Sequence, residues 1–568
     1  VAYGYRFSEV DLPKPTVKSS VRFRVHQVQA PEKRPAVQVS LGCHLDGAAC
    51  PHPDPADTAT MVAGACKRFA SETPKIDGEK LKRLRAFVDS LLPTLPPLSP
   101  DSDYTVETWL KNTNYPQWRR DELLAAWKAC PDPWNPKYWV VKGFLKDETY
   151  PTYKHGRGIN SRSDVFKCLV GPIFKLIEEQ VYKLPDFIKH VPVKDRPEYI
   201  YDRLYSPGAL FGQSDFETYE TSFVAPIMEN VEFPLYRHMT AALPCAVQFS
   251  RILTDVLAGE NQSQFRDFVV FLMAVRMSGD MNTSIGNGWV NKCVNGFIAQ
   301  ECKCVEHCGV VEGDDGLFKF EGGRKPTNAD YESIGFRIKL EWLDDISKAS
   351  FCGIVFAPED RNNLADPMKI LANFGWTSQR YERCRPGTLN ALLRAKSLSM
   401  AHAYPGCPIV QELAHYGLRV TGDVAVCKVL REVNARKALS GWYREWYLEA
   451  LNSPIEYRPV GNASRLVVEE VYGVDVQTQL RIEKYLREKQ DLSPIKVPLD
   501  SVHRDWLDYW DVYVAGKAAQ VQRRSTWCLG DVLAMVDGGW LVPIDKCTPQ
   551  SAVRKDCGIA RNTRLEAG

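Results

Sequence analysis

The sequence contains no run of about 18 apolar residues, which excludes a membrane-spanning helix. It also lacks the charged-then-apolar leader of a secretory signal. No charge of either sign dominates: 72 Lys and Arg stand against 70 Asp and Glu, a formal net charge of +2. That balance does not exclude a nucleic-acid binder, which needs its cations gathered along one path rather than in overall excess. A dense cysteine framework is missing too. The 17 cysteines are scattered and odd in number, which reads as reduced thiols in a cytosolic setting and not as a secreted disulfide scaffold. No G-x-x-x-x-G-K-S/T sequence and no H-E-x-x-H sequence occurs, so helicase-type ATP hydrolysis and zinc proteolysis are unsupported. Internal repeats and low-complexity tracts are absent as well.

What is present is a long, foldable chain. Its 568 residues are 44% hydrophobic and 25% charged, enough for more than one domain-sized core. Residues 1–60, rich in Pro, Val and Gln, read as an irregular extension, with Pro51, Pro53 and Pro55 at its boundary. Leu81, Leu84, Phe87, Val88 and Leu91 recur at helical spacing, and the run Pro93–Pro100 ends that helix. Residues 105–129 read as helix and 138–146 as strand. A strand near Leu210 leads into Asp215, and residues 282–300 form a helix with Val290, Val294 and Phe297 on one face. Residues 308–320 read as strand, tight turn and strand; beyond Asp366 the pattern is mostly helical, with stops at Pro386-Gly387 and Pro405-Gly406.

The chemistry starts at Gly313-Asp314-Asp315-Gly316, between two apolar runs. Asp and Gly are good turn formers in any case, but this turn also holds adjacent carboxylates at an exposed tip, a hard-oxygen site suited to Mg²⁺. A second element must add a carboxylate for a two-metal site. Asp215 follows a strand-like run and fits that role, although an aspartate there also suits a helix N-cap. The third piece is Ser278-Gly-Asp-Met-Asn-Thr-Ser-Ile-Gly-Asn287. Ser278 and Gly279 form a loop that starts a helix, and Thr283 and Asn287 lie four apart on one face, a hydroxyl and an amide suited to a ribose.

Together, Asp215, the Ser278–Asn287 block and Gly313–Asp315 resemble motifs A, B and C of the RNA-dependent RNA polymerases of positive-strand RNA viruses. The string from Arg276 to Asn287 is similar to the tombusvirus-like branch, with noda- and flavivirus-like enzymes as wider relatives. The resemblance covers residues 100–370 by motif and the flanks by position. It implies an α+β right-hand polymerase. Residues 1–95 would be an N-terminal extension and fingertips, and 96–205 fingers with a basic loop through which NTPs arrive. Residues 206–235 would be palm (motif A), 236–277 a fingers insertion, 278–365 palm (motifs B to E), and 366–568 a mostly helical thumb and C-terminal region. The palm would hold an antiparallel sheet. The implied reaction is templated transfer of NTPs to an RNA 3′ end with two Mg²⁺ or Mn²⁺ ions. Asp215 and Asp314 would be the main ligands and Asp315 would assist. The implied partners are template RNA, nascent RNA, NTPs and other viral replication proteins. These proteins would tether the chain to membrane-associated replication complexes in the host cytoplasm. Opening on Val1 fits a processed polyprotein product or a trimmed chain.

Further matches follow the same resemblance. Lys146, Glu148, Lys154, Arg157 and Arg162 stand where motif F guides the triphosphate; Lys154, Arg157 and Arg162 are expected on phosphate, with Lys146 and Glu148 shaping the loop. Gly335–Lys339 resembles motif D and makes Lys339 the candidate general acid, in competition with Lys348. Phe351-Cys352-Gly353 resembles motif E, and Tyr104–Arg120 the template-side motif G. Glu220 stands where the tombusvirus-like pattern has a second motif A aspartate. An acid there reads a ribose 2′-hydroxyl or orients Asn287, which favours ribonucleotides over deoxyribonucleotides; Glu217 is the alternative. A reverse transcriptase and a non-catalytic RNA-binding scaffold are the rival readings. The clusters Cys302, Cys304, His307, Cys308 and Cys43, His44, Cys50, His52 match no common zinc spacing. Trp506, Tyr509, Trp510 and Tyr513 read as a buried helix stripe, with stacking on an initiating nucleotide as the alternative.

Overall fold

The computed structural model describes residues 1–434, 447–516, 518, 521 and 524–534. Residues 435–446 and 535–568 of the expected last region lie outside the described residues. Helix takes 47% of the described residues and strand 14%, so the sheets are small platforms carried by helices. The strands in chain order are β1 (Ala2–Tyr3), β2 (Arg22–Val25), β3 (Ala36–Ser40), β4 (Val141–Leu145), β5 (Gly158–Arg162) and β6 (Leu210–Phe216). They continue as β7 (Glu260–Gln264), β8 (Phe268–Met273), β9 (Glu306–Glu312), β10 (Asp315–Glu321), β11 (Ile338–Leu343) and β12 (Trp376–Ser378). Three sheets result, with orders β1-β3-β12, β11-β6-β10-β9 and β2-β8-β7-β4-β5.

The four-stranded sheet is antiparallel throughout and is buried on both faces. Strand alternation sorts its side chains. Val311, Phe318 and Phe320 point into a large core with Trp289, Val290, Cys293, Val294 and Phe297 of the helix Thr283–Glu301. Val310, Leu317 and Phe211 point the other way, against Ile200, Leu204, Ile346 and Phe351. Each buried aromatic or aliphatic side chain contributes roughly 1.5–3 kcal/mol. The strand ends are therefore set by packing on two sides and not by the turns alone.

Several expectations need correction. Residues 1–60 are not irregular: β1, β2 and β3 lie there, and Tyr5, Phe7, Val21 and Phe23 are buried. Their pairing partners are distant in sequence, as in β2 with β8 and β3 with β12, so local periodicity carried no sign of them. The helix expected over 105–129 is split into Val106–Lys111 and Gln117–Lys128, because Pro116 supplies no N–H and disfavours helical geometry in the residue before it. Strand β4 starts only after a 3₁₀ turn at Pro136–Trp139. Pro386 begins the helix Pro386–Ala403 instead of stopping one, since proline is well tolerated in a first helical turn.

Other features stand as read. The helix Gly78–Leu91 and the helix Thr283–Glu301 occur where expected. The described residues beyond 366 are mostly helical. Every described cysteine is a free thiol, and no described helix is long and apolar enough to cross a membrane. Trp506, Tyr509 and Tyr513 are core side chains that clasp the N-terminal segment. Tyr509 Oη donates to the Tyr3 carbonyl (2.7 Å), and Tyr513 Oη donates to Glu9 Oε2 (2.8 Å). Nearby, Trp527 Nε1 donates to the Leu12 carbonyl (3.0 Å).

Candidate active site

Strands β9 and β10 close on a two-residue turn. Asp315 pairs with Glu312, so Gly313 and Asp314 alone span the tip. Gly313 takes a φ of 61°, a conformation that glycine holds without strain. Asp314 and Asp315 are both exposed. β6 runs alongside, and its last pair with β10 is Ser214 with Gly316. Asp215, one residue further, turns out of the sheet next to the tip, while Ser214 and Phe216 turn inward.

Carboxylates thus gather at one end of the sheet. Asp215 is raised above the usual carboxylate range by the protein around it and then by Asp314, against the pull of Lys339 and Lys154. Asp315 is exposed as a residue, but the cleft shields its carboxyl. That shielding, followed by Asp314, pushes it up to about 7, while a hydrogen bond with the Cys352 thiol opposes the shift. The adjoining cavity of about 1080 Å³ is lined in part by Lys189, His190, Arg196, Glu312, Cys352 and His402.

One buried amide holds the tip. Asn291 Nδ2 faces the carbonyls of Gly313 (3.3 Å), Asp314 (3.1 Å) and Asp315 (3.1 Å). Asn291 is held in turn: Asn295 Nδ2 donates to its Oδ1 (2.8 Å), and Tyr331 Oη donates to Asn295 Oδ1 (2.7 Å). Asn287, Asn291 and Asn295 lie four apart on one helix face. Sequence reading missed Asn291 and Asn295, although that spacing was the available signal.

The basic loop reaches the same place. Arg157 forms a two-pronged pair with Glu148 (Nε–Oε1 2.5 Å, Nη2–Oε2 2.7 Å), and Lys146 Nζ lies 2.9 Å from Glu148 Oε2. Burial alone would push Glu148 up, but Arg157 and Lys146 outweigh it and hold the carboxyl at about 2. Lys154 is exposed, with its amine 4.5 Å above the Tyr150 ring. The charge of Lys154 is felt at Asp215, and that of Asp314 at Arg157. Arg162 departs from the expected phosphate contact. Its guanidinium is buried and donates to Asp280 Oδ1 (2.9 Å), the Trp139 carbonyl (3.0 Å) and Asn261 Oδ1 (2.7 Å). On β5 it shares the inward face with Gly158 and Asn160, so it braces the loop from behind.

The block before the long helix is seated on β5. Gly279 N–H donates to the Asn160 carbonyl (2.7 Å), and the Ser278 hydroxyl donates to the Gly158 carbonyl (3.4 Å). Thr283 Oγ1 donates to the Met277 carbonyl (3.1 Å), closing the loop into the helix. Glu220 follows Asp215 through Thr218, whose φ of 48° carries the chain out of the strand. The Glu220 carboxylate is buried and accepts from Arg68, a partner 152 residues away that sequence reading did not find. Burial raises the Glu220 carboxyl and Arg68 opposes that shift. Glu217, the alternative, is exposed just past the end of β6.

Of the two competing lysines, Lys339 lies opposite Asp215 in the β11–β6 register and is 69% exposed. Lys339 Nζ lies 3.4 Å from Glu341 Oε1, and Lys348 is paired with Glu470 (2.9 Å), away from Asp215. Among the described residues no three His, Cys, Asp or Glu side chains are grouped so as to hold an ion by protein ligands alone. No protein-family model matches the chain, and no curated protein matches it.

Proposed function

We propose that this chain is an RNA-dependent RNA polymerase that copies a viral RNA genome. The observation that carries the reading is a convergence. The charge of Asp314 is felt at Asp315 beside it, at Asp215 and Glu220 on the segment of β6, and at Arg157 on the loop before β5, and β6 lies paired with β10 next to the tip. A hairpin tip chosen by turn chemistry alone would have no such company.

On this reading the four-stranded sheet and the helix Thr283–Glu301 are the palm (206–235 and 278–365). Residues 1–95, 96–205 and 236–277 make up fingertips and fingers, and the region from 366 is the thumb. The donor set suits Mg²⁺ or Mn²⁺. Mg²⁺ is usually held by one or two carboxylates plus substrate phosphates and water, without an all-protein cage. Asp215 and Asp314 are such an incomplete, hard-oxygen set: burial and then the Asp314 charge raise the Asp215 carboxyl. Two bound ions would activate the 3′-hydroxyl and neutralise the departing pyrophosphate. The chain's own residues do the rest. Lys154 and Arg157 receive the triphosphate, Glu220 and Asn287 read the ribose, and Lys339 supplies a proton to pyrophosphate. Template RNA, nascent RNA and NTPs are the partners, with other viral replication proteins tethering the chain at membranes in the host cytoplasm.

The test is direct. Purified protein with an RNA template, primed and unprimed, Mg²⁺ or Mn²⁺ and either NTPs or dNTPs should copy the template from NTPs. Equal use of dNTPs would turn the assignment to a reverse transcriptase. RNA binding without synthesis in every condition would leave a scaffold and end the polymerase reading. Within the same assay, Arg157→Ala should raise the KM for NTP roughly 10–100-fold, the worth of one charge-assisted contact of about 1.5–3 kcal/mol. An unchanged KM in single-nucleotide incorporation would remove the loop from triphosphate binding.

A further inference from the structure

Arg276 and Glu232 form an ion pair sealed inside the protein, with side chains 1% and 0% exposed. Nη2 and Oε2 stand 2.7 Å apart, in charge contact but off hydrogen-bond alignment. Glu232 Oε1 accepts from Tyr236 Oη (2.7 Å) and Asn282 Nδ2 (2.8 Å), and the Phe223 ring lies 4.1 Å from the guanidinium carbon. Helix backbone closes over the pair at Gly286, where a Cβ would stand 2.3 Å from Glu232 Oε1 and 2.6 Å from Arg276 Nη2. Buried pairs of this kind are often no more stabilising than apolar residues of the same volume. Stability alone is therefore a weak reason for this one.

Its other contacts supply a better reason. Arg276 Nε donates to Asn287 Oδ1 (3.0 Å). A guanidinium has donors and no acceptor, so this bond decides which way the amide faces. Oδ1 must point to Arg276, and Nδ2 must point away. Among the described residues no acceptor takes Asn287 Nδ2. The main chain of Arg276 reaches the other ribose reader, its N–H donating to the Glu220 carbonyl (3.1 Å). The chain enters Arg276 through Ala274 and Val275, both at positive φ (54° and 66°), an unusual backbone held for position.

We infer that Arg276, locked by Glu232, is the positioning residue for sugar selection. It fixes the Asn287 amide as an N–H donor to the ribose 2′-oxygen, and it holds Glu220 in register as the acceptor of the 2′-hydroxyl proton. A deoxyribose leaves the Asn287 donor unpaired and Glu220 with Arg68 as its partner, and a donor left without its acceptor is how a polar site rejects an analogue lacking one hydroxyl. The inference rests on the polymerase reading above.

The test compares kcat/KM for one NTP and its 2′-deoxy counterpart on an RNA primer–template with Mg²⁺. Arg276→Lys keeps the charge beside Glu232 but loses the fork that reaches Asn287. It should lower kcat/KM for the NTP roughly 10-fold or more and leave that for the dNTP nearly unchanged. Asn287→Ala should narrow selectivity equally, and the double variant should narrow it no further. Asn287→Asp pairs with Arg276 and keeps the fold while presenting no donor, so it should show the same narrowing even where Arg276→Lys fails to fold. Equal loss for both nucleotides, or multiplying losses in the double variant, would overturn the inference and leave the polymerase reading intact. A wild-type chain that makes no RNA would remove both.

Discussion

On the polymerase reading, Asp314→Ala should lower RNA extension by on the order of 10³-fold, about 4 kcal/mol of barrier, while the melting temperature should stay the same or rise. The rate loss follows from removing a carboxylate that no neighbour replaces. Asp315 sits next along the chain, but its carboxyl is already held up to about 7 by the shielding cleft and then by Asp314. Glu220 is buried and paired with Arg68. The thermal result has the opposite sign because Asp314 raises the pKa of both Asp215 and Asp315, a repulsion the folded state carries and alanine relieves. Extension rates and calorimetry on the same preparation check both halves. Robust synthesis by Asp314→Ala would sink the two-metal mechanism, and a large fall in melting temperature would mean that the tip is a structural turn.

Asn291→Asp should be nearly as damaging, by a different route. The variant is isosteric, yet it replaces a donor facing three tip carbonyls with a buried carboxylate. Leaving buried polar groups unsatisfied costs about 1–3 kcal/mol, and a charge costs more. The tip is then free to shift, and a displacement of about 1 Å at a reacting centre is worth roughly 10²-fold in rate. Extension should therefore fall about 100-fold, and the denaturation midpoint should drop as well. Asn295→Asp, one turn further from the tip, should destabilise the ladder with a smaller loss of rate. If the two variants lose activity equally, the effect is on the helix and not on the tip.

The parts of this site legible in the sequence are those that local rules decide. Gly313-Asp314 is a turn by its own chemistry, Asp215 points outward by strand alternation, and the helix Thr283–Glu301 follows from its apolar face. Arg162 was misread because counting cations on a glycine-punctuated loop ignores which face each one occupies. The same alternation that placed Asp215 would have turned Arg162 inward with Asn160. Arg68 was beyond reach for another reason. Its partner Glu220 lies 152 residues away, and only the folded backbone brings the two together. The role of Arg276 is hidden in the same way, since the sequence shows the residue but not that Glu232 and Asn287 meet it. The N-terminal strands went unseen because each is short, and β2 and β3 pair with β8 and β12 far along the chain.

That long-distance clasp sets a timetable for a chain emerging from a ribosome. The Tyr3 carbonyl waits for Tyr509, 506 residues later, which at about 5–20 residues per second takes roughly 25–100 s. The core that seats Cys66 and Phe69, on either side of Arg68, includes Tyr509, Tyr513 and Trp527. The acidic hairpin needs only nearby sequence and can form long before. The last thing acquired is the anchor for Glu220. On the polymerase reading, a half-made chain would carry the acidic tip before Glu220 has its Arg68 partner in place, and it would make no RNA until its two distant segments have met.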